Sequence, residues 1–222
     1  MQISTSIKFI GSTTKWLCLL TAFCGGLIAF QSIVTSNYTY FFLVWNLFLA
    51  WVPLFFALIW QKRLEMSKPL AKWKQFGLFG LCLLFWPNAP YLITDLVHLN
   101  RWINPAQWID IIVFFSSACT GLLLGLYCLY KVQQILSNTF SEFKCRLIMA
   151  AIIILSSYGI YLGRVQRWNS WDLLTRPHHL IWDALVQLGD PEAWSIIIGF
   201  SLFIGFTYFL TLQMIKNVRY KK

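Results

Sequence analysis

Asp95 and His98 are the residues of this chain best equipped to move a proton. They lie in Tyr91-Leu92-Ile93-Thr94-Asp95-Leu96-Val97-His98-Leu99-Asn100-Arg101-Trp102. Helical spacing there places Tyr91, Asp95, His98 and Trp102 on one face. A carboxylate and an imidazole three positions apart can serve as an acid–base pair or as two metal ligands. The same spacing also fits an ordinary Asp–His hydrogen bond or a solvated pair. A second dense stretch runs from Gly163 to Pro177 and holds Arg164, Arg167, Trp168, Asn169, Trp171, Asp172 and Arg176. If the helix before it continues past Gly163, then Arg164, Arg167, Trp168 and Trp171 line one side. Guanidinium forks suit phosphate, and indoles suit the lipid headgroup layer. The partners open to the three arginines are Asp95, Asp172, a lipid phosphate or an anionic substrate. The alternative is that these side chains only snorkel and anchor.

Composition names the elements that must carry these residues. Of 222 residues, 58% are hydrophobic and 12% charged, too few charges to cover a soluble surface of that size. The apolar runs are continuous rather than alternating, which points to helices in lipid and not to a barrel. We read an all-α, integral membrane six-helix bundle in one domain, 1–222. Its spans are Trp16–Thr35, Tyr40–Trp60, Gln75–Leu96, Ile109–Tyr130, Leu147–Gly163 and Trp194–Ile215, with the fifth reaching a few residues further. The first run has a basic lead-in (Lys8, Lys15), but no small-x-small cleavage site follows and Phe23 precedes Cys24. It is therefore read as a helix rather than a cleaved signal.

The net charge of +10 is topological. Of 18 Lys and Arg residues, all but Arg101, Arg164, Arg167 and Arg176 fall on one side of the spans. The others form clusters such as Lys62, Arg63, Lys68, Lys72 and Lys74, and Lys131, Lys144 and Arg146. That side is expected to be cytoplasmic, with both termini, in a bacterial plasma membrane. The acids Asp95, Asp110, Asp172, Asp183, Asp190 and Glu192 gather on the other. No basic domain is present to dock on nucleic acid. The six cysteines (Cys18, Cys24, Cys82, Cys119, Cys128, Cys145) avoid the outer loops and read as small apolar fillers. They form no CxxC pair and no metal-type Cys/His set. His178 and His179 could join Asp95 and His98 in a metal site, but no H-E-x-x-H or similar spacing supports one. No metal or other cofactor is expected.

The third span is interrupted. Gln75–Trp86 supplies about 12 residues, or about 18 Å of helix, too short to cross alone. Trp86-Pro87-Asn88-Ala89-Pro90-Tyr91 follows, and two prolines three apart remove two backbone donors. The groups so freed must meet other helices or a water-filled cavity, since lipid cannot satisfy them. At about 1.5 Å per residue, Asn88 lies roughly 10 Å below the outer boundary. Asn46, Ser116, Ser117, Tyr161 and Ser201 lie at a similar depth, as a hydrogen-bonding layer or as interhelical contacts. Pro177 then opens a short amphipathic helix near 178–188. It has His179, Asp183 and Gln187 as its polar stripe and Leu180, Ile181, Trp182, Leu185 and Val186 as its apolar face.

Three segments together carry a family likeness: Trp45-Asn46-Leu47-Phe48-Leu49-Ala50-Trp51-Val52-Pro53, Pro87 through Leu99, and Gly163-Arg164 with Trp168-Asn169-Ser170-Trp171-Asp172. The chain resembles the domain of unknown function 1361 family. That resemblance implies a multi-pass bacterial membrane protein and brings no activity with it. Trp86 stands before the break where the resemblance leads one to expect an aliphatic residue.

Three functions fit these residues. In the first, an outer-leaflet site handles an anionic amphiphile, a lipid or lipid-linked precursor. Asp95 and His98 would transfer protons; Arg164, Arg167 and Arg176 would hold the anion. Asn46, Asn88, Tyr91, Asn169 and Asp172 would line the site, and Trp168 and Trp171 would border it. In the second, the chain is a non-catalytic partner of another membrane protein. In the third it transports a small solute, although the inner halves of its spans are almost free of polar residues.

Overall fold

The computed structural model describes residues 2–36, 38–66, 71–101 and 107–220. Trp102, Lys68, Lys221 and Lys222 lie outside the described residues, as do the side chains of Lys8 and Arg101. Six helices are long and apolar enough to cross a membrane: Thr13–Thr35, Thr39–Leu64, Lys72–Leu99, Trp108–Ser137, Glu142–Arg164 and Pro191–Val218. The chain is an all-α, multi-pass membrane bundle. A continuous apolar run in lipid has little alternative, because a helix satisfies every backbone group within its own segment.

In detail, α1 is Gln2–Thr35 and α2 is Phe42–Leu64, entered through a 3-10 turn at Thr39–Phe41. The third span divides into α3 (Lys72–Phe85), α4 (Asn88–Tyr91) and a 3-10 segment, Leu92–Arg101. Then come α5 (Gln107–Ser137), α6 (Glu142–Arg164), α7 (Asp172–Thr175), α8 (Pro177–Gln187) and α9 (Pro191–Tyr220). Helix α5 is the most enclosed. It packs against α1, α2, the broken third span, α6 and α9, and supplies Val113, Phe114, Leu124, Cys128 and Leu129 to the core.

The break stands where the prolines put it, and the structure shows what accommodates it. Gly159 of α6 faces Pro87 so closely that a Cβ there would lie 2.7 Å from the proline ring. Gly121 of α5 faces the Ala89 carbonyl, which a Cβ would meet at 2.4 Å. Trp86 is 2% exposed, and its indole N–H donates to the Gly125 carbonyl at 3.0 Å. A tryptophan fits this position because an open carbonyl on α5 takes its polar edge. Two carbonyls left open beside the break are not left to lipid. Asn88 Nδ2 donates to Phe85 O at 2.9 Å, and Ser170 Oγ donates to Leu84 O at 3.1 Å.

Three expectations need correction. Beyond the break the chain winds as a 3-10 helix, not an α-helix. With three residues per turn it aligns Asp95 and His98 directly, and the Thr94 hydroxyl donates to the Tyr91 carbonyl at 2.6 Å. The fifth span does not continue outward. Arg164 is its last residue, Arg167 adopts φ 61°, and the Trp168 amide turns back to the Leu162 carbonyl at 3.1 Å. That reversal prevents one helical face from carrying Arg164, Arg167, Trp168 and Trp171. Finally, α5 runs past Tyr130, so Lys131 is a helix residue buried to 1% exposure and not a loop cation. Its ammonium lies 5.2 Å from the Tyr127 ring centre and 5.8 Å from that of Tyr130, and it donates to Gln134 Oε1 at 3.3 Å. These contacts take the place of water.

The short amphipathic helix is present as α8, with Pro177 as its first residue. Asp183 and Gln187 of its polar stripe turn toward the bundle, while His179 is exposed. Asp183 accepts from Trp168 Nε1 at 3.2 Å and Gln187 from the Tyr161 hydroxyl at 2.7 Å, and the Tyr158 hydroxyl donates to the Ala184 carbonyl. Ile181, Trp182, Leu185 and Val186 face away from the protein and are exposed.

Candidate functional site

The site gathers at the end of the bundle where the acids collect. Asp95 projects from the 3-10 segment and is 1% exposed. Asn46, one turn into α2, donates Nδ2 to Asp95 Oδ2 at 2.9 Å. Arg164, at the end of α6, donates to Asp95 Oδ1 at 3.0 Å. The same guanidinium approaches His98 Nε2 at 3.2 Å and the Tyr91 hydroxyl at 3.4 Å, with its carbon 5.7 Å from the Tyr91 ring centre. Arginine has donors only, so His98 Nε2 is the acceptor in this contact and its ring proton belongs on Nδ1. The His98 ring packs edge-on against Phe42, with centroids 5.6 Å apart.

Asn46, Tyr91, Asp95, His98 and Arg164, five residues singled out from the sequence, thus form one connected cluster drawn from three spans. Its chemistry is that of a buried carboxylate, hydrogen-bonded at both oxygens, paired with a guanidinium that remains partly exposed. Arg164 stands between the carboxylate and the imidazole, and bridges them. A charge at this depth is costly alone and tolerable when paired and hydrogen-bonded.

The other candidates lie around a neighbouring cleft of about 290 Å³. Asn88, Trp168 and Asn169 line it with Asn46 and Tyr91, and Asn88 Nδ2 donates to Ser170 Oγ at 3.0 Å. Asp172 is occupied locally. It accepts from the Asn169 amide at 2.8 Å, from Asn169 Nδ2 at 3.3 Å and from Thr175 Oγ1 at 3.3 Å, closing the turn into α7. Trp171 is 37% exposed. Arg176 lines a second, shallower hollow with His178, His179 and Asp183, and Trp168 stands in the wall of both. Arg164, Arg167 and Arg176 share no partner: Arg164 holds Asp95, while Arg167 and Arg176 are exposed.

The supposed layer of polar groups divides by helix. Ser116 bonds back to Val113 O at 3.1 Å, and Tyr161 turns to Gln187 and Asp190. The hydroxyls of Ser117 and Ser201 are buried with no partner among the described residues. Sequence reasoning missed Ser170, which caps the break from the far side of α6. It also missed a second buried cluster, in which Asp110, 4% exposed, accepts from Gln31 Nε2 and the Tyr40 hydroxyl, each at 3.1 Å. Gln31 inside the first span and Asp110 at the start of the fourth were the available signals. Among the described residues, no three His, Cys, Asp or Glu side chains group as metal ligands.

No curated protein and no solved structure matches this chain. Residues 45–207 match the model of a family described as "Protein of unknown function (DUF1361)". The matched stretch begins beside Asn46 and takes in the proline break, the Asp95–Arg164 pair, the cleft and α8. With the match covering well over half its length, the chain belongs to the DUF1361 family.

Proposed function

We propose that this protein binds an amphiphile with an anionic head, a lipid or a lipid-linked precursor, from the outer leaflet of a bacterial plasma membrane. The observation that carries the reading is the cleft beside the broken third span. It combines a lipid-contacting bundle with a wall of amides and indoles, a composition suited to a molecule that is part oil and part polar. The count of basic residues supports the orientation, with the acidic end and the cleft outside. Asp95 and Arg164 brace the wall: both are satisfied by protein partners, so their role is to hold α2, the third span and α6 in register. The anionic part of the ligand falls to the exposed Arg176 with His178 and His179, in the hollow that shares Trp168 with the cleft.

Native mass spectrometry of the protein released from membranes in mild detergent tests this. A co-purifying amphiphile is expected on the wild type, reduced on Trp168→Ala and, where the head is anionic, on Arg176→Ala. A wild-type protein free of lipid, or one whose bound lipid is indifferent to both changes, overturns the reading.

A further inference from the structure

We infer that the cleft holds an uncharged, hydroxyl-bearing ring, a sugar or similar polyol, as part of the amphiphile's head; this deepens the function proposed above and rests on it. Among the described residues, no charged side chain lines the cleft. Asp95 and Arg164 neutralise each other behind Asn46 and Tyr91. A phosphate or an ammonium seated here would be desolvated without a counter-ion, the costliest way to bury a ligand group.

The hydrogen-bonding valences of the wall are more discriminating than its charge. Asn46 gives Nδ2 to the Asp95 carboxylate, Asn88 gives Nδ2 to the Phe85 carbonyl and Ser170, and Asn169 gives Nδ2 to the Asp172 carboxylate. Carboxylates and carbonyls only accept, so each contact fixes which end of the carboxamide faces it. In all three residues Oδ1 has no protein partner among the described residues, while Asn46 and Asn169 each keep a second amide N–H beside the one they spend. The cleft therefore offers acceptors and donors side by side. Tyr91 adds a donor, because its oxygen accepts from Arg164 and its proton is left to give. A phosphate, which brings acceptors alone, meets the donors but leaves the carboxamide oxygens of this wall opposed to its own. A polyol, which brings several O–H donors and lone pairs together, complements it.

The aromatic groups agree. Trp45, 53% exposed on α2, Trp168 and Tyr91 stand in the same wall. The C–H face of a sugar ring is apolar and packs on aromatic faces while its rim of hydroxyls reaches the amides. Trp168 is held for this by its bond to Asp183. A cleft of about 290 Å³ lies at the small end of roughly 300–1,000 Å³ for ligand sites, which suits a single ring rather than a chain of them.

The test uses the full-length protein in phosphatidylcholine nanodiscs, titrated with octyl glucoside, octyl phosphate and octylamine below their micellar concentrations and read by ligand-observed NMR. We expect saturable octyl glucoside binding at least tenfold tighter than that of the other two, weakened at least tenfold by Trp45→Leu and by Asn169→Ala. Both positions are exposed, and unchanged circular dichroism confirms that the variants fold. Tighter binding of octyl phosphate or octylamine, sensitive to the same variants, overturns the ring while leaving an amphiphile site. Glucoside binding unaffected by either variant overturns the assignment to this cleft. If none of the three probes binds, the ring and the amphiphile site fall together. Methyl glucoside, added as a fourth ligand, separates two sources of the ring: equal affinity without the alkyl chain supports the ring and removes the lipid.

Discussion

Arg164 closes the last turn of α6 by reaching Asp95 across 69 residues of sequence, at 3.0 Å. The pair ties the stretch just beyond the proline break to the end of a neighbouring span, and Asn46 ties the same carboxylate to α2. A break in a membrane helix leaves its two halves free to pivot. Here the far half is moored by charge.

Removing one member of the pair should strand the other. Asp95→Ala or Arg164→Ala is expected to lower stability by about 3–5 kcal/mol, the usual cost of orphaning a buried ion. The Asp95→Leu/Arg164→Leu double variant should lose less than the two single leucine variants combined. Unfolding in mixed micelles with rising SDS measures all of them. Strictly additive losses would contradict the coupling.

The glycine seats of the break make a second prediction. Gly121→Ala puts a methyl group 2.4 Å from the Ala89 carbonyl, which is backbone and cannot swing away, so a loss of about 1–3 kcal/mol is expected. Gly159→Ala meets the Pro87 ring at 2.7 Å and should behave alike. Gly199→Ala in α9, with nothing within 4 Å, should be neutral or slightly stabilising. The same SDS titration compares the three.

Helix α8 hangs on tyrosine hydroxyls. Tyr158→Phe and Tyr161→Phe together remove its bonds at Ala184 and Gln187, each worth about 1 kcal/mol. Hydrogen exchange of residues 177–187 should accelerate several-fold in the double variant, with α5 unchanged. Equal protection in both proteins would show that α8 is held by other means.

Sidedness can be read in intact cells with a membrane-impermeant maleimide. Leu174→Cys, 77% exposed before α8, should react from outside, whereas a cysteine at Asn138, between α5 and α6, should react only after lysis. The reverse pattern would invert the bundle and remove the cleft from the outer leaflet.

Much of this was legible in the sequence because lipid leaves few choices. Runs of about 20 apolar residues become helices, and the two prolines located the break to the residue. Tyr91, Asp95, His98 and Arg164 were each singled out from the sequence. Their joining needed the 3-10 winding after Tyr91, which the residue pattern of that stretch does not announce. The end of α6 was misjudged because its stop signal is not a glycine. A backward turn through Arg167, at φ 61°, imposes it, and a non-glycine residue gives little sign that it will accept that conformation. Likewise Gln31, Tyr40 and Asp110 come from three separate spans, and no spacing along the chain announces that they meet.

Helix α8 wears its oil on the outside. Little of its apolar side chain is sheltered by the protein, so its seating depends on the surrounding acyl chains and headgroups as well as on the Tyr158 and Tyr161 hydroxyls. Leu180, on the same helix, is part of the cleft wall. On the function proposed above, the bilayer becomes a structural component of the site: a thicker or thinner leaflet would press this wall to a different height, and the membrane's own composition would set how wide the entrance stands.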